Sequence, residues 1–244
     1  MGWWAIFRRE MILLKQRASR LGYVFASVFY PLIYLFAFGL GLGKVVQVEG
    51  GYGAFLCAGM AGISVMTNSF QQTSIAISVG RIYYKTFQSL MVSPVPPGQV
   101  AVGLMLAGMV RGMVAAMIVY TIGAFFFGGW QLTWVGFAGL VLGSAIFAAL
   151  GSIAGMIVEG NDGLSVIQNF FMTPMIFFSG SFFPIKNLPW GIDQVVRLLP
   201  LGMIDQLLHA RTFGMEQVYF LVGLSVMAVV CWGWGTHVIR NYQE

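Results

Sequence analysis

Residues 54–79 run for 26 positions without one charged side chain. About 20 apolar residues carry a helix across a bilayer, and in lipid only a helix or a closed barrel satisfies its own backbone. Five further apolar runs have comparable length, at 21–43, 100–127, 132–158, 164–183 and 218–238. The composition agrees: 9% of residues are charged, against roughly 25% in soluble domains. The expected fold is an all-α polytopic membrane protein with six transmembrane helices in one domain, 1–244. No charge block or low-complexity tail marks an attached soluble domain.

The flanks set the orientation. Residues 3–20 carry Arg8, Arg9, Lys15, Arg17 and Arg20, with Trp3, Phe7, Met11 and Leu14 at roughly helical spacing. This pattern predicts an N-terminal amphipathic interfacial helix over 1–20. Basic residues directly before a membrane span do not suggest a nucleic-acid partner. Arg8, Arg9 and Glu10 interrupt the N-terminal run, so no cleavable signal is expected. With the N-terminus inside, eight basic residues fall on inner segments and four on outer ones. The positive-inside rule then puts both termini in the cytoplasm.

Small residues recur four apart at Gly39 and Gly43, at Ala54, Ala58 and Gly62, at Gly139 and Gly143, and at Gly151 and Gly155. In lipid such spacing lets helix backbones approach closely. Cys57 and Cys231 both sit in apolar runs and read as small buried hydrophobes. Gly39-Leu-Gly-Leu-Gly-Lys44 lacks the first glycine and the Ser or Thr of a phosphate-binding loop, and it follows a span rather than a strand. His209 and His237 fall on opposite sides of the membrane, so neither catalytic nor metal residues are expected.

Four places stand out. The fifth run ends in Phe182-Phe183-Pro184, where proline breaks the helix, and Pro189 opens a short charged run to Leu199-Pro200. A short re-entrant helical cap over 184–216 is expected outside, and Phe182 and Phe183 read either as an outer gate or as interfacial anchors. The inner segment 81–98 carries Arg81, Tyr84, Lys85, Phe87, Leu90 and Met91, with Ser93-Pro94 ending a short helix whose apolar face has nothing evident to rest on. The second span is polar toward its inner end, at Asn68, Gln71 and Gln72; the fifth adds Gln168, Asn169 and Thr173 beside Phe177. Such amides either line a translocation path or join helices by hydrogen bonds. Arg111 lies midway along the third run with no acid at matching depth in any span, so it is either paired within the bundle or a substrate contact.

Phe178-Ser179-Gly180, Phe183-Pro184, Leu188-Pro189-Trp190 and Leu199-Pro200 resemble the late signature of ABC type-2 transporter permeases, in the drug-export and nodulation-factor-export branch. The resemblance covers nearly the whole chain. It implies a homodimer in a bacterial inner membrane, with two separate ABC ATPase subunits that carry ATP and Mg. It makes 81–98 the coupling helix, although Arg81 and Lys85-Thr86 stand where the family has an acid and Gly-Thr. It makes Asn68, Gln71, Gln72, Gln168, Asn169, Thr173 and Phe177 path-lining residues. The implied function is export of an amphipathic or lipid-like molecule by a non-enzymatic permease. Export of a lipid-linked polysaccharide is the alternative, and a passive channel or an intramembrane enzyme is a different class.

Overall fold

The computed structural model describes residues 2–18, 22, 25–43, 45–46, 48, 50–128, 130, 132–183 and 196–242. Among them every regular element is helical. The elements are α1 (Gly2–Ala18), a π-helical turn (Phe25–Phe29) leading into α2 (Tyr30–Leu42), α3 (Tyr52–Ile82), α4 (Thr86–Met91), α5 (Pro97–Phe127), α6 (Trp134–Ile157), α7 (Gly160–Ile167), a second π-helical turn (Gln168–Met172), α8 (Thr173–Phe178), α9 (Pro200–His209) and α10 (Met215–Arg240). Lys44, Pro184, Lys186, Leu188, Pro189, Trp190 and Asp193 lie outside the described residues.

Among the described residues four helices, α3, α5, α6 and α10, are long and apolar enough to cross a membrane. The first apolar run is shorter as a helix, Ser27–Leu42. The fifth is not one α-helix. It divides into α7, the π-turn and α8, and the helix ends at Phe178, before Phe182 and Phe183. Pro174 lacks the amide that a continuous helix would use, and the π-turn beside it absorbs the misfit.

α3 is the central element, packed on α2, α5, α6 and α9. Glycines on its neighbours make that closeness possible. A β-carbon at Gly151 of α6 would fall 2.5 Å from the Phe70 carbonyl oxygen, and one at Gly155 would fall 2.6 Å from that of Ser74. On α5, Gly108 and Gly112 leave no room for a side chain against Thr73 and Ser69 of α3. The four-residue spacing of Gly151 and Gly155 is thus a seam, as small-residue packing in lipid requires. By contrast α10 is peripheral: 17% of its apolar window is buried, against 78% for α6.

α1 is helical, as the sequence predicts, but it does more than rest on a surface. It packs lengthwise on α5. Gln99 Oε1 accepts from the Gly2 and Trp3 amides at 2.9 and 3.3 Å, and so serves two of the unpaired donors at the start of α1. One turn on, Ile6 fills the space over Gly103. Further along, Glu10 reaches Arg111.

Candidate functional site

Two ends of the bundle and the polar stretch between them carry the candidate residues. At the first end, α3 runs on to Ile82, so Arg81 belongs to α3 and not to the short helix that follows. Its guanidinium donates to the carbonyls of Met156 and, at 3.1 Å, Val158, at the end of α6. Those carbonyls have no partner within their own helix, and an arginine there closes it electrostatically as well. The same guanidinium lies over the Tyr242 ring, 6.0 Å from its centroid.

Lys85 then takes a left-handed backbone, φ 52°, and turns the chain into α4. Here the structure revises the expected free apolar face. Phe87 is 2% exposed and joins a core of Ile6, Ile77, Val100, Leu104 and Ile239. Its ring meets Tyr242 edge-on at 5.4 Å, and Leu90 and Met91 pack against the same core. Phe87 and Leu90 are therefore anchors, because α1, α3, α5 and α10 converge beneath them. The presented residues are Tyr83, Tyr84, Lys85 and Val92, with Tyr84 72% exposed.

Along α3 the polar side chains mostly bond locally. Ser64 donates to Met60 O at 2.7 Å, Thr67 to Ile63 O at 2.8 Å and Thr73 to Ser69 O at 2.7 Å. Asn68 is buried; its amide donates to Ser64 O at 3.0 Å and to Ser27 O at 3.3 Å, which ties α3 to the turn before α2. Gln71 and Gln72 are half-buried, as are Gln168 and Thr173, whereas Asn169 and Phe177 are exposed. Thr173 donates back to Gln168 O at 3.3 Å across the π-turn.

Arg111 and Glu10 are each 5% exposed and meet at 2.6 Å. The acid comes from α1, an element outside the predicted spans, which is why no partner was visible among the spans. The readable signal was weak: Glu10 follows Ile6 by one helical turn and so shares its inward face.

At the far end, Gly180 adopts φ 94° and bends the chain after α8. Ser179 and Ser181 hydroxyls lie 2.8 Å apart, and Ser181 donates to Asp205 Oδ2 on α9. The turn is seated where a β-carbon at Gly59 would strike the Ser181 carbonyl at 2.5 Å. Asp205 is 1% exposed, and its Oδ1 makes no hydrogen bond. His209 follows it on α9, with Nδ1 2.7 Å from Asp205 O and Nε2 3.0 Å from Phe55 O on α3. Within the predicted 184–216 cap, α9 is thus a buried piece of the bundle rather than a loose cover. Sequence reasoning did not single out Asp205; its sign was an acid amid Leu201, Ile204, Leu207 and Leu208.

The two gate candidates separate. Phe182 is 2% exposed, with its ring centroid 5.2 Å from Phe38, 5.7 Å from Phe177 and 6.1 Å from Tyr34. Tyr52 donates its hydroxyl to Phe182 O at 3.1 Å. Phe183 points outward and is 45% exposed. Phe182 therefore belongs to the core of the chain.

Comparison with known proteins bears on this arrangement. The family described as ABC-2 type transporter matches residues 1–205. Nodulation protein J of Rhizobium leguminosarum bv. viciae is 30% identical over 240 residues, covering 94% of this chain and 89% of that protein. Nodulation protein J of Rhizobium meliloti (strain 1021) is 31% identical over 240 residues, covering 94% of this chain and 87% of the relative. The inner membrane transport permease YadH of Escherichia coli (strain K12) is 25% identical over 210 residues, or 82% of each chain. The chain is an integral membrane protein and belongs to the ABC-2 type transporter family as one of its permeases.

Proposed function

We propose that this chain is the membrane-spanning half of an ATP-driven exporter of an amphipathic or lipid-like molecule. It crosses the bacterial inner membrane six times, by the π-turn with α2, by α3, α5, α6, the broken segment α7–α8, and α10, with both termini in the cytoplasm. Two copies form the path, and two separate ATPase chains supply ATP and Mg. The observation that carries this reading is the presented surface at Tyr83, Tyr84, Lys85 and Val92. Exposed tyrosines in the turn leading into a short helix, held by a buried phenylalanine, form a knob of the kind that docks.

Movement of the ATPases would pass from the knob through Phe87 to α1, α3, α5 and α10, and through Arg81 to the end of α6. The amides of α3 and α7–α8 would then face the path in the dimer. The test is co-purification with the partner ATPase. Tyr84→Ala should fold and lose about tenfold in affinity for the ATPase, as loss of one interface anchor of about 1.4 kcal/mol does. Unchanged assembly in Tyr84→Ala would remove the docking assignment.

A further inference from the structure

At the turn after α8 the hydrogen bonds outnumber the protons that the serines can supply. Asp205 Oδ2, Ser181 Oγ and Ser179 Oγ stand in line, and the line ends on Ile176 O, 3.1 Å from Ser179 Oγ. Ser179 Oγ also accepts from the Ser181 amide at 3.3 Å. The line thus has three contacts. Each serine hydroxyl brings one proton, and a carbonyl or an ionised carboxylate brings none. With Asp205 ionised, Ser179 donates to Ser181 and Ser181 to Asp205, and Ile176 O loses its serine donor. With Asp205 protonated the same oxygen positions serve the reverse direction, and all three contacts are hydrogen bonds. The acid donates to Ser181, Ser181 to Ser179 and Ser179 to Ile176 O.

Nothing around the carboxyl compensates a negative charge. Asp205 is 1% exposed, and its Oδ1 makes no hydrogen bond among the described residues. A β-carbon at Gly62 of α3 would fall 2.8 Å from that oxygen, so it faces glycine rather than a donor. Among the described residues Asp205 joins no ion pair. Of the helices packed on α9, α6 and α8 carry no titratable side chain. On α3, Tyr52 donates to Phe182 O and Cys57 to Tyr120 O, while Arg81 holds α6 at the far end. On α10, Glu216 pairs with Arg197 and Tyr219 is exposed; Cys231, His237 and Arg240 lie further along. Arg211, past the end of α9, is exposed. His209 of α9 meets two carbonyls, yet burial pulls its imidazole below the ordinary value. A buried carboxylate without a cation takes up a proton instead. Burial pushes the Asp205 carboxyl up to about 8, against the smaller pull of the Ser181 and Ser179 hydroxyls.

A metal ion is the rival occupant. It needs several oxygen or nitrogen ligands. Among the described residues no three acids, histidines or cysteines gather, and the side-chain carbons beside Gly62 belong to Leu201 and Leu208.

We propose that Asp205 is a proton-binding site. It holds one proton at neutral pH, that proton completes the hydrogen-bond line from α9 to the end of α8, and it passes to water when the turn at 179–182 lifts off α9. Once hydrated, the carboxyl returns towards its ordinary value, roughly 4, and stays ionised. Each opening of the turn therefore releases one proton, and acid opposes it. The site goes beyond the exporter reading and does not depend on it. The outward-facing orientation of this end does depend on it, and in that orientation an acid exterior holds the turn down.

Hydrogen exchange on the full chain in lipid nanodiscs tests the site without an ATPase or a cargo. Protection of the Ser181 and Phe182 amides is taken relative to the intrinsic rate at each pH. It should fall by up to about tenfold per pH unit from about 5 to about 8 and then level off, because one proton leaves with each opening. Asp205→Asn puts an amide donor in the proton's place and should show constant protection over that range. Infrared spectra should show a neutral carboxyl band in the wild type at about pH 6 that is lost above about 8. Ser181→Ala keeps the carboxyl, removes its partner at Oδ2 and should shift that band, which keeps the test open if Asp205→Asn does not fold. Protection that does not change with pH, an equal fall in Asp205→Asn, or a neutral carboxyl band that ignores Ser181→Ala would each overturn the proposal.

Discussion

At Arg111 a guanidinium is held among apolar helices by one carboxylate, Glu10, at 2.6 Å. A lone charge in such a place is strongly disfavoured, and the pair offsets that cost through its short contact, the further hydrogen bond accepted by Glu10 O at 3.4 Å, and Arg9, which lies 3.5 Å from the other Glu10 carboxylate oxygen. Removing Glu10 leaves Arg111 buried and uncompensated, and removing Arg111 leaves Glu10 with Arg9 alone. Arg111→Met and Glu10→Leu should each destabilise the protein by about 3–5 kcal/mol, and the double variant should cost much less than their sum. Thermal unfolding of the four proteins of this cycle in one detergent measures it; additive losses would mean that the two charges do not interact. The same residue marks how far the sequence carried. Periodicity placed Arg111 inside a span, since that depends on neighbours in the chain. Its partner is 101 positions away, and a contact of that separation leaves no local pattern. Asp205 was hidden for a related reason: its partner Ser181 is reached only because Gly180 bends the chain.

At the scale of elements, α4 divides into an anchoring face and a presented end. Helical spacing put Tyr84, Phe87, Leu90 and Met91 on one apolar face; Phe87, Leu90 and Met91 do share one core, whereas Tyr84 precedes α4 and is exposed. Which surface they cover could not be read from spacing, because the covering residues come from α1, α3, α5 and α10. The distinction has a measurable consequence. Phe87→Ala removes a fully packed ring and should lower stability by about 3–5 kcal/mol, with loss of monodisperse protein on size exclusion. Tyr84→Ala, at a residue that is 72% exposed, should leave the melting temperature unchanged. If Phe87→Ala kept wild-type stability, α4 would not be fastened to the bundle and could not transmit force through it. The broken fifth run teaches a similar lesson. Its apolar length predicted one helix to Phe183, whereas the π-turn beside Pro174 interrupts the run and α8 stops at Phe178, just before Gly180 bends the chain. The proline was visible in the sequence, but the π-turn that accommodates it was not.

For the whole molecule, the two phenylalanines after α8 differ in what they can offer a second copy of the chain. Phe182 is surrounded by Tyr34, Phe38 and Phe177 of its own chain, and its carbonyl is held by Tyr52. That ring fixes the turn to α2 and α3, and it has no free face to offer a twin. Phe183 is the neighbour left half-exposed, at the end of the segment that also exposes Phe170, Phe171, Phe177 and Phe178. If two copies close a path at this end, Phe183 and not Phe182 is the ring of the pair free to take part, since an apolar constriction can exclude water without a charged lock. Single cysteines test the division. Phe183→Cys should cross-link to its twin in the resting complex, and less when nucleotide is trapped on the ATPases. Phe182→Cys should not cross-link in either condition and should lower stability by about 3–5 kcal/mol, the usual cost of deleting a buried aromatic ring. Cross-linking of Phe182→Cys without loss of stability would mean that the turn leaves the core in the dimer. Failure of Phe183→Cys to cross-link in any nucleotide state would make Phe183 a lipid-facing anchor and place the closure elsewhere along α8.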